Sequence, residues 1–130
     1  IYGKQGFIAI LLRKLIEKKP VVIHGDGKTI RDFVHISDVV QACFLLATTD
    51  SKKTIFNIGS GKGIKLNEVV TSIEKILGRT IPVEHSVQGL HDIPFSVLDI
   101  TKAAKNLGFR PIVSFKDGLT KTLLQNSLIT

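Results

Sequence analysis

The sequence predicts a mixed α/β fold, α+β-like in that helices outweigh a few short strands. Three observations lead there. Apolar residues recur at helical spacing along much of the chain, with short strand-like runs between the helical stretches. Glycine and proline punctuate the changes of period. The mostly apolar run Ile55-Phe56-Asn57-Ile58 is bounded by glycine, the form of a strand inside a larger parallel sheet, whose neighbours would lie outside this stretch. At 130 residues the length suits one domain, 1–130, able to bury about two-thirds of its unfolded surface.

Ile8, Leu11, Leu12, Leu15 and Ile16 mark the first helix, with Arg13, Lys14, Glu17 and Lys18 on its other side and Pro20 closing it. Val21 to Ile23 reads as a strand and Gly25-Asp26-Gly27 as a turn. Ile30 to Ile36 alternates in strand fashion, and Ser37 is placed to cap a second helix running to about Ala47. Its inner face is expected to be Val39, Val40, Cys43, Phe44 and Ala47. After the strand at 55–58 and the turn Gly59-Ser60-Gly61-Lys62-Gly63 comes a helix with Leu66, Val69, Val70, Ile73, Ile76 and Leu77 inward, ended by Gly78. Pro82 to His85 reads as a strand, and Ser86 to Phe95 as irregular. Thr101 is expected to cap a small helix holding Ala103, Ala104 and Leu107 that stops at Gly108. Ser114 with Asp117 resembles a capping box for the last helix, with Leu119 and Leu123 inward.

Composition removes several classes of function. The longest apolar run, Phe7 to Leu12, is far short of the ~20 residues of a membrane span, so no membrane partner is expected. With no signal-peptide layout either, a cytoplasmic location is the expectation. A single cysteine, Cys43, excludes an intrachain disulfide and reads as a small core residue. His24, His35, His85 and His91 lack metal-ligand spacing, so no metal is expected. The net charge of +7 comes from lysines spread over helix faces, without a long basic run or an aromatic platform, which argues against nucleic acid. The chain begins with Ile and contains no Met, as expected of a piece of something longer.

The chemistry concentrates around Arg31. Guanidinium offers a planar fork of donors that matches phosphate oxygens, and a strand fixes where the fork points. Two readings stay open on spacing alone: a diphosphate contact, or an ion pair with Asp26 or Asp38. The Gly59–Gly63 segment sits where phosphates are often held, yet it lacks a P-loop ending and a full dinucleotide motif, so a tight turn is the better reading. His24 is placed to stack on a base or to cover a strand end. Asp92 is placed to accept ribose hydroxyls or to cap a turn. Asp32, Asp38 and Asp99 read as turn and cap residues, and no nucleophile with an activating base stands out.

Several motifs in order carry a resemblance over most of the chain. They are Tyr2-Gly3, Gly6-Phe7-Ile8, Gly25-Asp26-Gly27 with Arg31-Asp32-Phe33-Val34-His35-Ile36-Ser37-Asp38, and Asn57-Ile58-Gly59-Ser60-Gly61. Asp92, Asp99-Ile100-Thr101-Lys102-Ala103 and Leu107-Gly108-Phe109-Arg110-Pro111 complete the series. Together they resemble the C-terminal, substrate-binding part of NAD-dependent nucleotide-sugar epimerases and dehydratases, extended short-chain dehydrogenase/reductases of the UDP-glucose 4-epimerase kind. The resemblance implies a UDP-sugar or related nucleotide-sugar as ligand. Phe7 and Ile8 would line the nucleobase, Ile23 and His24 would hold and cover it, Arg31 would grip the diphosphate and Asp92 would approach the ribose. It also implies NAD in the intact enzyme, bound by an N-terminal Rossmann half absent from this chain, together with the catalytic Tyr-x-x-x-Lys pair. This chain alone is then expected not to catalyse.

Two departures stand out: Gly89 replaces a second diphosphate arginine, and Lys65 replaces a capping Ser or Thr. The alternatives to an epimerase portion are a dehydratase portion and a UDP-sugar-binding module without catalysis. Self-association of this stretch or a homodimer is expected, because a divided parallel sheet exposes apolar edges.

Overall fold

A computed structural model describes residues 6–50, 55–87 and 93–129. Helix α1, Phe7–Ile16, buries Leu11, Leu12 and Leu15 but leaves Ile16 in solvent, because the chain turns away at Glu17 and Lys18 takes positive φ. Strand β1, Val21–His24, alternates cleanly, with Val21 and Ile23 buried and Val22 and His24 outward. Only Ile30–Asp32 of the alternating run forms a strand, β2. Helix α2, Ile36–Thr48, follows with His35 as its N-cap; the His35 ring accepts from the Ser37 N–H, so Ser37 lies inside the first turn.

The 55–58 run is not a strand: it has no ladder partner among the described residues, consistent with a strand that needs neighbours from elsewhere. A short strand, β3 (Gly63–Lys65), forms directly before helix α3, Leu66–Leu77, which ends at the left-handed Gly78. Strand β4 spans Val83–Ser86, and β5, the pair Phe95–Ser96, begins at the last residue of the stretch expected to be irregular. In helix α4, Thr101–Leu107, Ile100 takes the N-cap position rather than Thr101, and the carboxylate of Asp99, one residue before it, accepts the Thr101 N–H at 2.8 Å. The Thr101 hydrogen bonds hold that carboxyl below its usual range. Helix α5, Phe115–Gln125, starts as expected, with the Ser114 hydroxyl accepting the Asp117 N–H at 3.1 Å.

Two small sheets result. β1 pairs in parallel with β4, and β2 lies between β3, antiparallel, and β5, parallel. Arg31 is therefore in the middle of a central strand, opposite Ile64 on one side and Ser96 on the other. The larger core joins α1, β1, α3 and α5 through residues such as Leu11, Ile23, Ile73 and Leu123. A second core packs Ala42 of α2 against Ala103, Leu107 and Phe109.

Helix α2 corrects the expected inner face. Asp38 and Ala42 are buried, whereas Val40, Cys43, Phe44 and Ala47 are exposed. The helix is apolar nearly all round, so periodicity could not choose its packed side. Ala42 faces α4 because only a small residue allows the two helices to approach at that contact.

The turn between β1 and β2 also serves α3. Lys65 gives α3 no side-chain cap; the Leu66 and Asn67 N–H groups donate instead to the carbonyls of Thr29 and Gly27, each at 3.1 Å. Asn67 adds a hydrogen bond from its amide to the Asp26 carbonyl at 2.9 Å. Gly27 has φ of 74°, and a Cβ there would overlap the Asn67 side chain. Gly27→Ala should therefore lower stability by at least about 1 kcal/mol, read as a fall in the thermal midpoint. An unchanged midpoint would contradict this account of the turn.

Candidate functional site

The outward face of β1 and one face of α1 form the two walls of an open cleft of about 580 Å³, within the usual range for small-ligand sites. Phe7, Ile10 and Lys14, spaced three and four apart, come from α1; Val22 and His24 come from β1. Thr29, Arg31 and Asp32 close it from the turn and from β2.

Arg31 is half-buried and pairs with no carboxylate among the described residues. Its Nη1 donates to the carbonyls of Ile30, at 2.8 Å, and Ile93, at 2.7 Å. The guanidinium is thus held in place without its charge being neutralised, which suits an anionic ligand. Both carboxylates that could have paired with it are engaged elsewhere. Asp26 meets Lys28 at 2.8 Å, and the Lys28 hydrogen bonds hold its carboxyl below the usual range. Asp38 is buried and accepts the N–H groups of Ile112 and Val113, each at 3.2 Å.

Asp32, beside Arg31, ties the cleft to the glycine-rich turn. One carboxylate oxygen accepts the Ser60 N–H at 2.8 Å and the Ser60 hydroxyl; the other accepts the N–H groups of Gly61 at 3.0 Å and Leu98 at 3.3 Å. Those amides are the donors an anion would use, so the Gly59–Gly63 turn does not fit the phosphates of NAD. The single tyrosine, Tyr2, is followed four positions later by Gly6, so the sequence carries no Tyr-x-x-x-Lys pair.

The structure gathers four of the expected site residues, Phe7, Ile23, His24 and Arg31, around the same cleft. His24 is exposed, with its Nδ1 within 2.6 Å of the Ser86 hydroxyl, which fixes the ring from β4. Ile23 itself is buried, so it forms the floor more than a contact surface. Ile8 lies elsewhere: one residue on from Phe7 along a helix, it faces a recess of about 60 Å³ beside Phe33 and Phe115, too small for a nucleotide. Asp92 and Gly89 fall outside the described residues. Lys14, Val22 and Thr29 also line the cleft and were not singled out from the sequence. Among the described residues no group of three or more His, Cys, Asp or Glu is placed to hold a metal ion, and no helix is long and apolar enough to cross a membrane.

Residues 2–59 match the family described as NAD dependent epimerase/dehydratase. The resemblance continues past that stretch: the dTDP-4-dehydro-6-deoxyglucose reductase of Escherichia coli is 36% identical over 129 residues, 95% of this chain. Over most of its length the chain is similar to members of the NAD-dependent epimerase/dehydratase family. Its fold matches that of MoeE5 in complex with UDP-glucuronic acid and NAD, at a TM-score of 0.86, 30% identity and 96% coverage of this chain. It equally matches the UDP-glucose 4-epimerase of Thermotoga maritima with UDP-glucose, at 0.84, 34% and 98%. The chain spans about two-fifths of these family members: 39% of the reductase, 43% of MoeE5 and 42% of the Thermotoga epimerase. The α/β architecture with few short strands is that of a portion of such enzymes.

Proposed function

We propose that this chain is the nucleotide-sugar-binding portion of an NAD-dependent epimerase of the UDP-glucose 4-epimerase kind. Arg31 grips the diphosphate, Phe7 and His24 flank the base over the floor made by Ile23, and Asp92 approaches the ribose. Ile8 packs α1 in place instead of lining the base. In the intact enzyme NAD supplies the hydride chemistry at sugar C4, on a dinucleotide-binding portion that this chain does not contribute. The part assigned here is anchorage: binding energy spent on the diphosphate, remote from the reacting carbon, holds the sugar for the chemical step.

The observation that carries this reading is Arg31, oriented by two carbonyls, unpaired with any described carboxylate and facing a nucleotide-sized cleft. The same anchorage would serve a dehydratase, a reading supported by the dTDP-glucose 4,6-dehydratase of Actinoplanes, 30% identical over 129 residues. Calorimetric titration with UDP tests both at once. Saturable binding is expected, and a folded chain that takes up no UDP would overturn them. A duplex DNA titration at low salt should show no retention.

The exposed apolar side of α2 belongs to the same proposal. Ile36, Val40 and Phe44 are 64%, 60% and 67% exposed on one helix. This is the face we assign to the dinucleotide-binding portion, and without that cover it should bind a second copy. Sedimentation of the chain should show concentration-dependent association that Phe44→Glu weakens. A clean monomer at high concentration would remove the assignment.

A further inference from the structure

The cleft holds a second cation that the diphosphate does not account for. Lys14 is half-buried in the wall contributed by α1, in line with Phe7 and Ile10, and has no carboxylate within ion-pair distance among the described residues. It stands two turns, about 10 Å, along the helix from Phe7. One turn back on the same face of α1 is the apolar Ile10, and Val22, on the same face of β1 as His24, lines the same cleft. Asp32, the acidic residue lining the cleft, has both carboxylate oxygens engaged by the turn and by Leu98. The wall contributed by α1 therefore offers a lysine donor beside the apolar Ile10.

We infer that Lys14 reads the exocyclic group of the nucleobase and selects an oxo-substituted base over an amino-substituted one. The inference rests on the cleft being the nucleotide site. With Arg31 on the diphosphate and Phe7 and His24 beside the base, the base edge is what remains to meet the wall that carries Lys14. An ammonium has three donors and no acceptor. Uracil, thymine and guanine present a carbonyl oxygen at that edge, whereas cytosine and adenine present an amino group, which is a donor. A lysine facing an amino group sets donor against donor, beside a positive charge, with apolar neighbours to limit rescue by water. A site built to donate to one group rejects the analogue that cannot accept.

The experiment compares dissociation constants for UDP against CDP, and for GDP against ADP to separate pyrimidine from purine, in the unmodified chain and in Lys14→Met, Lys14→Gln and Lys14→Arg. The unmodified chain should prefer UDP over CDP by about tenfold or more, the worth of one charge-assisted hydrogen bond. Lys14→Met should bring the two within about threefold, chiefly by loss of UDP affinity, and Lys14→Arg should keep the preference. Lys14→Gln, whose amide both donates and accepts, should bind the two alike and stands in for Met if that variant does not fold. Equal weakening of UDP and CDP in Lys14→Met would show a phosphate contact and overturn the inference. So would a preference unchanged in every variant. If UDP binds in an Arg31-dependent way while Lys14 leaves the preference intact, only this inference falls; if a folded chain binds no nucleotide, the reading of the cleft falls with it.

Discussion

Asp32→Ala should cost the fold about 3 kcal/mol, because it strands up to four donors that now converge on one carboxylate. In a domain of this size that is a fall of about 10 °C in thermal midpoint. The effect is large because the carboxylate joins segments far apart in sequence: strand β2, the Ser60–Gly61 turn and the backbone at Leu98. Gly59 lies close enough that a Cβ there would press on the Asp32 carboxylate, so the glycine is what lets the turn approach it. The variant should also bind UDP more weakly, since the strand that aims Arg31 loses its lateral anchor. Asp26→Ala is the control: its contact with Lys28 is at the surface, and its removal should leave the midpoint where it was. Equal midpoints for the two variants would refute the role given to Asp32.

Arg31→Ala should weaken UDP binding by about 10- to 100-fold, the range of one to two charge-assisted contacts with phosphate. The substitution removes no ion pair, and of the two carbonyls that now accept from Nη1, that of Ile93 is at an exposed contact and can turn to water, while that of Ile30 is part-buried. Stability should thus change little while affinity falls, which separates a ligand-gripping arginine from a structural one. Arg31→Lys should recover part of the affinity only, because an ammonium cannot span two phosphate oxygens in a plane. Matched losses of stability and affinity in Arg31→Ala would mean that the residue holds the strand and not the ligand.

How far the sequence foretold this structure depended on whether local chemistry or remote contacts decided each element. Helix ends written in local chemistry were legible: Gly78 and Gly108 both adopt the left-handed conformation that stops a helix, and Ser114 caps α5 through Asp117. Elements settled by distant partners were not. The 55–58 run has strand composition but no described neighbour to pair with, while the pair Phe95–Ser96 becomes a strand only because β2 lies beside it. The packed side of α2 was illegible because apolar residues surround that helix.

The cleft divides in the same way. Arg31 was visible because a guanidinium on a strand after a Gly-Asp-Gly turn is unusual chemistry, whereas Phe7 was pointed to only by the family resemblance, which also chose between two readings of His24. Lys14 was hidden in plain pattern. A lysine on the polar side of an amphipathic helix reads as a solvent contact, and a period of 3.6 residues cannot tell solvent from a cleft. Lys65 was legible as a missing cap, but not its replacement by the carbonyls of Thr29 and Gly27.

The central claim is that the nucleotide lies in the cleft between α1 and β1, with its diphosphate against Arg31 of β2. Backbone amide shifts recorded by NMR during a UDP titration test it most directly. The account predicts saturable shifts concentrated at Phe7, Val22, His24 and Arg31, with the glycine-rich turn at Ser60 and Gly61 little changed. Shifts centred on that turn, or none in a folded chain, would contradict it.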